Sequence, residues 1–326
     1  MGSVNQPMVL CLGEILFDLL ADQVGKSLTE VESWTAYPGG APANVACALV
    51  KLGTPAAFIG CVGKDTVGNE LVELCQEVGV DISGVQRHPN APTRQVYVVR
   101  STTGDRQFAG FGELPPHQFA DAYLQADLLP VDLFLAADFL VLGTLELAYP
   151  ETREAIFRAL ELAEQYNVKI VLDVNWRPMF WDDPQQAQKE IAQLWPYVDF
   201  LKLAKEEAQW LFETTDAGAI AYRLNCVEGV IVTDGNGEIS YCLSENEGKL
   251  SPFKVEVVDT TGAGDSFVAG IVHQLCQQGI ASLKNPDTVK EIIRYACAVG
   301  GLTATKPGAI AAQPQAQEVE AFLQGK

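Results

Sequence analysis

Short apolar runs alternate with longer amphipathic segments along almost the whole chain. The apolar runs predict buried strands at Val9 to Leu12, Ala56 to Cys61, Phe139 to Gly143, Val168 to Val174, Phe200 to Leu203 and Val230 to Thr233. Apolar residues at helical spacing predict helices at Ala43 to Leu52, Gly68 to Val78, Glu151 to Tyr166, Ala187 to Leu194 and Glu206 to Phe212. Because strands that alternate with helices form mostly parallel sheets, we expect an α/β fold with helices on both faces.

Two stretches, about 16–37 and 93–112, break this alternation. In the second, the runs 95–100 and 106–111 flank a Thr-Thr-Gly-Asp sequence, which predicts a β-hairpin outside the main sheet. Such a hairpin is either an ordinary surface feature or a lid over the carboxyl ends of the strands, where open α/β sheets bind ligands. Because no repeat or linker interrupts the chain, residues 1–326 are expected to form a single domain that includes this lid.

The composition excludes several classes of protein. The chain has 326 residues, of which 48% are hydrophobic and 20% charged, as in a globular protein with a sizeable core. Its formal net charge of −20 disfavours binding to nucleic acid or to an anionic membrane, because both need lysine and arginine near phosphates. Residues 1–7 do not resemble a signal sequence, and no apolar run has membrane-spanning length, so a cytoplasmic protein is expected. The eight cysteines lack the two-residue spacing of zinc or redox sites and are expected to be reduced.

The segment Val257-Val-Asp-Thr-Thr-Gly-Ala-Gly-Asp-Ser-Phe-Val-Ala-Gly270 carries the clearest chemistry. It predicts the end of an apolar strand, a turn of small residues and a helix from about Ala263 to Gln278. Gly262 and Gly264 permit tight backbone geometry, which would leave N–H groups directed outward at the helix N-terminus, where they can hold an anion. Asp265 would then lie in the first helical turn, either as a cap or facing that anion.

A second segment of small residues, Pro38-Gly-Gly-Ala-Pro-Ala-Asn44, leads into a helix. Small residues let the backbone approach a ligand, and the Asn44 amide can both donate to and accept from hydroxyl groups. Taken alone, the segment favours close packing of a helix on a sheet.

In this order and at this separation, the two segments resemble the two signatures of the PfkB (ribokinase-like) family of carbohydrate kinases. Gly13-Glu-Ile-Leu-Phe-Asp18 resembles the family's opening strand. Asp173-Val-Asn-Trp-Arg177 with Trp181, and Thr305-Lys-Pro-Gly-Ala-Ile310, resemble motifs of its fructokinase branch. The resemblance spans nearly the whole chain and implies a ribokinase-like three-layer α/β/α core with a small β lid. Such lids commonly mediate dimers in the family, and here Val96, Val98 and Phe108 would supply the apolar contact of a homodimer.

The resemblance implies transfer of the γ-phosphoryl group of ATP to a sugar hydroxyl. Asp265 would accept the hydroxyl proton, and the N–H groups of Gly262, Ala263 and Gly264 would form an anion hole. Further candidates would hold sugar or phosphate oxygens: Asp18, Gly39, Gly40, Asn44, Arg106, Glu146 and Arg177. Glu146 is as compatible with an exposed loop carboxylate, and the two arginines with ordinary surface ion pairs.

The implied co-substrate is ATP with Mg²⁺, which bridges the β- and γ-phosphates. Besides the anion hole, the residues that match the nucleotide side of the family are Lys202, Glu207, Thr233, Gly235, Gly237 and Cys297. Without the resemblance, the segment 232–237 predicts only a hairpin turn. The family often adds a monovalent cation at positions matched here by Asp259, Thr261 and Gly308, so K⁺ is a candidate cofactor.

Two positions depart from the family pattern. The Asn-x-x-Glu motif, which helps to organise metal and phosphates, reads Ala204-Lys-Glu-Glu207, although the fructokinase branch often lacks that asparagine too. The Ala-Asn-Ala segment beside adenine reads Ala296-Cys297-Ala298, which leaves the nucleotide preference open.

The leading hypothesis is an ATP-dependent kinase that converts a ketohexose, most simply fructose to fructose 6-phosphate. A 2-keto-3-deoxygluconate kinase, or another sugar or nucleoside kinase of the family, is an alternative; an acid substrate would need Arg106 and Arg177 for its carboxylate. A catalytically silent, kinase-like interaction protein is a second alternative, which the presence of Asp265 disfavours. A nicotinamide-dependent dehydrogenase is disfavoured because the Gly-x-Gly-x-x-Gly fingerprint is missing.

Overall fold

A computed structural model describes residues 8–102, 106–181 and 183–325, without the side chains of Arg106 and Pro184. Residues 1–7 and the central residues of the predicted hairpin turn, 103–105, lie outside this description. The strands are β1 (Met8–Leu12), β2 (Leu16–Val24), β3 (Trp34–Gly39), β4 (Ala56–Gly63), β5 (Asp81–His88), β6 (Gln95–Arg100), β7 (Arg106–Gly110), β8 (Ala137–Leu142), β9 (Lys169–Asp173), β10 (Phe200–Ala204), β11 (Gly229–Thr233), β12 (Ile239–Leu243) and β13 (Asn246–Leu250). The α-helices are α1 (Ala41–Lys51), α2 (Thr66–Val78), α3 (Val131–Ala136), α4 (Pro150–Tyr166), α5 (Pro184–Ala192), α6 (Lys205–Phe212), α7 (Ala217–Leu224), α8 (Ala263–Gln278), α9 (Pro286–Thr303) and α10 (Ala316–Gln324).

A nine-stranded sheet in the order β13-β12-β11-β10-β9-β8-β1-β4-β5 forms the middle layer. Strands β5 to β11 of this order pair in parallel, and β12 and β13 continue the sheet antiparallel. Along β1, Val9 and Cys11 pack into one hydrophobic cluster, which includes α1, α2, α8 and α9, whereas Leu10 and Leu12 pack into another, which includes α4 to α7. Because successive side chains point to opposite faces of a strand, both faces are covered by helices and the expected three-layer fold is confirmed.

A second sheet of four strands has the order β3-β2-β6-β7. Strands β6 and β7 pair antiparallel, and β2 pairs with β6 in parallel and with β3 antiparallel. The prediction that the chain near 95–111 forms a hairpin outside the main sheet is therefore confirmed.

The predicted strand end at Val257 and Val258 is wrong. No strand covers these residues, and their side chains are 56% and 60% exposed. The edge of the sheet is already occupied by β13. The backbone N–H groups of Val258 and Asp259 instead donate to the carbonyl oxygen of Ala304, at 2.9 and 3.2 Å. This segment is therefore a loop tied to the end of α9.

All eight cysteines are free, and Cys226 is the exposed one among them. In the parts of the chain that the structure describes, no helix is long and apolar enough to cross a membrane.

Candidate active site

A cleft of about 640 Å³ lies between the main sheet and the small sheet, and many of the predicted site residues line it. Residues that follow or end the central strands line one wall, and side chains of β2, β6 and β7 line the opposite wall. The lining includes Glu14, Leu16, Asp18, Gly40, Ala41, Asn44, Val96, Val98, Phe108, Asn175, Arg177, Lys202, Ala204, Glu207, Gly262, Gly264 and Asp265. The cleft thus brings together residues that are far apart in the sequence, at the edge where open α/β sheets bind ligands.

Helix α8 begins at the cleft with Gly262 as its N-cap, at φ +73°. A Cβ at this position would lie 2.7 Å from the Cβ of Ala309, so both backbone conformation and space require glycine. Gly264, in contrast, has ordinary helical geometry, so the expectation that it relieves backbone strain is wrong. The N–H of Ala263 donates to the Thr260 carbonyl at 3.2 Å, so its predicted contribution to an anion hole is not seen in this conformation.

Asp265 lies in the first turn of α8, and its carboxylate does not cap the helix. Oδ2 of Asp265 accepts a hydrogen bond of 2.7 Å from Nδ2 of Asn44 in α1, which lies 221 residues away in the sequence. Although Asp265 borders the open cleft, burial of its carboxyl raises its pKa to about 6. The Asn44 hydrogen bond and the charge of Lys202 counteract this rise, and the charge of Asp173 adds to it. A carboxyl group with this pKa is mostly ionised at neutral pH and can accept a proton.

Helix α1 presents Asn44 because the chain turns sharply before it. Gly40 has φ +102°, and a Cβ there would overlap the carbonyl oxygen of Glu14. Asn44 is 4% exposed, and its Oδ1 has no hydrogen-bond partner within the described part of the chain. A buried amide oxygen without a partner is costly, so Asn44 is prepared to accept a hydrogen bond from a ligand.

The small sheet contributes Asp18 on β2 to the facing wall. A Cβ on Gly39, in the neighbouring β3, would come within 2.8 Å of Oδ2 of Asp18. Glycine at 39 therefore leaves room for the carboxylate beside the cleft. Val96, Val98 and Phe108 line the same wall, so these apolar side chains face the cleft of their own chain.

Two buried glutamates lie behind the sugar-side candidates. Glu14 lines the cleft, and its Oε1 accepts a 2.7 Å hydrogen bond from the N–H of Ala41. Glu146 is 1% exposed, so the alternative of an exposed loop carboxylate is wrong. Burial raises the pKa of Glu14 to about 7 and the pKa of Glu146 well above its ordinary value, with the charges of Glu14 and Asp121 adding to the second shift. Glu14 was not singled out from the sequence, although it lies within the opening motif.

The carboxyl end of β10 carries Lys202, whose Nζ donates to both oxygens of Asp173 at 2.9 and 3.1 Å. Glu207, in the first turn of α6, accepts hydrogen bonds of 2.7 Å from the backbone N–H groups of Ala204 and Trp176. Lys202 and Glu207 both line the cleft, as does Ala204, which stands at the asparagine position of the Asn-x-x-Glu motif.

The three residues predicted to hold a monovalent cation also come together. The carboxylate of Asp259 accepts from the backbone N–H and Oγ1 of Thr261, at 3.0 and 2.7 Å, and from the N–H of Gly308 at 2.8 Å. These bonds fix the loop that precedes α8 to the loop that follows α9. They do not by themselves identify a cation.

The remaining nucleotide-side candidates lie outside the large cleft. Thr233, Gly235 and Gly237 belong to the hairpin between β11 and β12, beside a smaller cavity of about 160 Å³ that Asp234 lines. Cys297 is 4% exposed and packs in the hydrophobic core, and its position beside the nucleotide stays a prediction.

Of the two arginine candidates, Arg177 is exposed and lines the cleft, whereas the side chain of Arg106 lies outside the described part of the structure. Asn175 also lines the cleft and was missed, although its φ of +40° is a conformation that asparagine tolerates better than most residues.

Comparison with known proteins assigns the chain to a family. A model of the pfkB family of carbohydrate kinases matches residues 6–316. Probable fructokinase-4 of Arabidopsis thaliana is 32% identical over 324 residues, which cover 98% of this chain and 98% of that protein. Fructokinase-2 of Solanum lycopersicum is 31% identical over 327 residues, which cover 99% and 98%.

Solved structures of similar fold also come from sugar kinases. A fructokinase from Xylella fastidiosa with bound ATP has a TM-score of 0.88 and 29% identity, covering 98% of this chain and 99% of that one. A putative ribokinase II from E. coli in complex with ATP and Mg²⁺ has a TM-score of 0.86 and 26% identity, and the match covers 98% of this chain and 100% of that one. A double mutant of the fructokinase from Vibrio cholerae O395, with fructose, ADP and potassium ion bound, has a TM-score of 0.83 and 26% identity. The match covers 99% of this chain and 100% of that one. Family model, relatives and fold agree over nearly the full length, and the chain belongs to the pfkB family of carbohydrate kinases, as a phosphotransferase that acts on a sugar hydroxyl.

Proposed function

We propose that the protein is an ATP-dependent fructokinase that converts fructose to fructose 6-phosphate. The observation that carries the proposal is the carboxylate of Asp265, held by Asn44 at 2.7 Å in the first turn of α8 and inside the cleft that Asp18 also lines. The relatives named as fructokinases, and the Vibrio cholerae structure with fructose and ADP, support this substrate pair.

In this proposal Asp265 is the general base. The sugar hydroxyl attacks the γ-phosphorus as Asp265 takes its proton, and ADP leaves. Because burial raises the pKa of Asp265 only to about 6, the carboxylate is ionised at neutral pH and can accept that proton. A positioned base contributes about 10² to 10⁴-fold, so alignment and charge stabilisation must supply the rest.

The N-terminus of α8 supplies an anion hole. N–H groups at the start of a helix carry partial positive charge and favour the developing negative charge of a phosphoryl group. We assign this role to the N–H groups of Gly262 and Gly264, because both residues line the cleft at the start of α8. Asp18 and the unpartnered Oδ1 of Asn44 bind sugar hydroxyls, and the buried Glu146 supports this wall from behind.

Mg²⁺ would neutralise charge on the β- and γ-phosphates and hold them in line. Within residues 8–102, 106–181 and 183–325, no group of three or more His, Cys, Asp or Glu side chains is arranged to bind a metal ion. Both oxygens of Glu207 already accept backbone hydrogen bonds. We propose that the ATP phosphates and water hold this ion, with Glu207 close by. The Asp259, Thr261 and Gly308 cluster is our proposed place for K⁺, and Thr233, Gly235 and Gly237 are proposed to lie near the nucleotide.

A homodimer through the small sheet remains a proposal of its own. Its predicted apolar contacts, Val96, Val98 and Phe108, line the cleft, and Phe108 is still 40% exposed. Light scattering over a range of protein concentrations tests the dimer, and a monomer throughout would refute it.

The substrate is tested by measuring ADP release with fructose, ribose, 2-keto-3-deoxygluconate and nucleosides. We expect fructose to give the highest kcat/KM, because the cleft presents the carboxylates of Glu14, Asp18 and Asp265, and its buried cation Lys202 is already paired with Asp173. Faster turnover of 2-keto-3-deoxygluconate would instead favour an acid substrate bound by the exposed Arg177. Absence of turnover with every sugar would refute the proposal.

A further inference from the structure

The first turn of helix α1 is bound by residues from outside the helix. Its N-cap, Gly40, has no side chain that could cap it. The N–H of Ala41 instead donates to Oε1 of Glu14 at 2.7 Å. The backbone carbonyl of Asn44 accepts another external hydrogen bond, of 2.7 Å, from Nε2 of Gln313, which lies 269 residues away in the sequence. The C-terminal part of the chain therefore contacts the residue that donates to the proposed base.

One segment near the C-terminus, residues 308–313, contacts the starts of both helices of the site. Ala309 packs against Gly262, the N-cap of α8, where a Cβ would come within 2.7 Å of the Cβ of Ala309. At the other end of the segment, Gln313 bonds to α1. Helices α1 and α8 carry the two partners of the 2.7 Å hydrogen bond at the proposed base. The segment therefore helps to fix the distance over which this bond forms.

The amide of Gln313 has one orientation that allows this contact. A backbone carbonyl only accepts, so the amide presents its nitrogen to Asn44. Its Oε1 then has no hydrogen-bond partner within the described part of the chain, although Gln313 is only 4% exposed. The carbonyl of Asn44 lies inside α1, where an N–H of the next turn already reaches it. A buried amide oxygen without a partner costs more than one neutral hydrogen bond contributes, so fold stability alone would favour an apolar side chain at this position.

Gln313 reaches the site through Asn44. It is not among the described residues that line the cleft, whereas Asn44 and Asp265 both line it. Asn44 is bonded on two sides, since its carbonyl accepts from Gln313 and its Nδ2 donates to Oδ2 of Asp265. A shift of the Asn44 backbone would move its amide relative to that carboxylate, and hydrogen bonds weaken as their length and angle depart from the optimum.

We propose that Gln313 is a positioning residue that holds Asn44 where its amide can donate to the carboxylate of Asp265. This role rests on the proposed function of Asp265 as the base, but not on which sugar is the acceptor. The direct test is Gln313→Met, which removes the amide and nearly keeps the volume of the side chain.

The pKa of Asp265 reports on the position of Asn44, because the hydrogen bond from Asn44 lowers it against the rise caused by burial. Other charged groups face Asp265 from β9, from the loop after it, from β10 and from the loop before β2: Asp173, Arg177, Lys202 and Glu14. All four stay in Gln313→Met, so a weaker Asn44 bond should raise the pKa of Asp265. We expect a rise of about 0.5 to 1 unit, less than after complete removal of the Asn44 amide.

Two measurements give this pKa. One follows the carbon-13 resonance of the Asp265 carboxyl, from about pH 4 to pH 9, in protein labelled at the aspartate Cγ and assigned with Asp265→Asn; it needs no substrate. The other is the acid limb of kcat/KM with whichever sugar the wild type phosphorylates fastest. In Gln313→Met both values should rise together, so that kcat/KM falls about two- to fivefold at about pH 6 and much less at about pH 9. The midpoint of urea unfolding should be no lower than that of the wild type.

The matched control is Gln86→Met. Nε2 of Gln86, on the edge strand β5, donates to the carbonyl of Gln125 at 2.9 Å, and neither is among the described residues that line the cleft. This variant loses a bond of the same kind and should leave the pKa of Asp265 unchanged. The double variant Asn44→Leu with Gln313→Met should show the same Asp265 pKa as Asn44→Leu alone, because Gln313 acts through Asn44.

An Asp265 pKa in Gln313→Met within about 0.2 units of the wild type would overturn the proposal, as would shifts that add in the double variant. If Gln313→Met does not fold, Gln313→Leu takes its place with the same expected shift. Failure of both variants to fold would also overturn the proposal, because the amide would then serve fold stability. A wild type without turnover of any sugar would contradict the proposed function, and the resonance titration would still decide the role of Gln313.

Discussion

The pH dependence of turnover provides a test in which two neighbours of Asp265 act in opposite directions. Asn44 donates a hydrogen bond of 2.7 Å to Oδ2 of Asp265 and lowers its pKa, whereas the negative charge of Asp173 raises it. Asn44→Leu should therefore raise the pKa of the base, and Asp173→Asn should lower it. The base must be ionised to accept a proton. The acid limb of the pH profile should therefore move to higher pH in Asn44→Leu and to lower pH in Asp173→Asn, together with the pKa of Asp265.

The size of the first shift follows from the hydrogen bond. Bonds to charged groups contribute about 1.5 to 3 kcal/mol, and one pKa unit corresponds to about 1.4 kcal/mol, so loss of the Asn44 bond should raise the pKa by about 1 to 2 units. In the wild type, the pKa of about 6 predicts that kcat/KM rises with pH through that value and is flat above it. The Asn44→Leu limb should then lie between about pH 7 and pH 8.

The profile is measured as initial rates of sugar phosphate formation in quenched samples, from about pH 5 to pH 9, which avoids the pH dependence of coupling enzymes. Asn44 also lines the sugar side of the cleft, so its loss lowers the plateau as well. The position of the limb is independent of that plateau. A limb that stays in place in Asn44→Leu, or that moves in the same direction in both variants, would refute the assignment of this limb to Asp265.

Three further predictions concern stability. Gly262→Ala should destabilise the fold by about 1 to 3 kcal/mol in urea unfolding, because alanine at φ +73° is strained and its Cβ would meet that of Ala309 at 2.7 Å; unchanged stability would contradict this account. Glu14 has a folded pKa raised to about 7 from 4.5, so the folded state binds more protons in that interval and wild-type stability falls as pH rises through it. Glu14→Gln should remove about 3 kcal/mol of this fall, and an unaltered pH slope would exclude Glu14 as its source. Arg94→Met should lower the free energy of unfolding by about 3 to 5 kcal/mol, because it leaves the buried Asp121 carboxylate, now paired at 2.5 Å, without its cation; equal losses after replacing both residues would argue against a charge effect.

Periodicity was sufficient to predict six of the nine strands of the main sheet, because buried parallel strands are short apolar runs and the helices that cover them carry one apolar face. It did not predict β5, β12 and β13, which lie at the two edges of the sheet. It failed at Val257 and Val258, where an apolar pair resembles a strand end although no edge is free to pair with it. Propensity describes a single segment, and the position of that segment in a sheet depends on the rest of the fold.

The candidate site was predictable only in part, for a similar reason. The glycine-rich segments identified Asp265 and Asn44 separately, and the family resemblance supplied the expectation that they meet. The pairing of Lys202 with Asp173 depends on the register of two neighbouring strands, and the burial of Glu146 depends on packing around a loop. Neither property is encoded in local spacing, which explains why Glu146 was equally compatible with an exposed position.

The most direct test of the account compares the wild type with Asp265→Asn, with fructose and ATP as substrates and the product identified by phosphorus NMR. The account predicts that the wild type forms fructose 6-phosphate. It also predicts that the variant loses about 10² to 10⁴-fold in kcat, while its affinity for ADP changes little. Turnover of the variant within about threefold of the wild type would contradict the central claim that Asp265 removes the proton from the attacking hydroxyl.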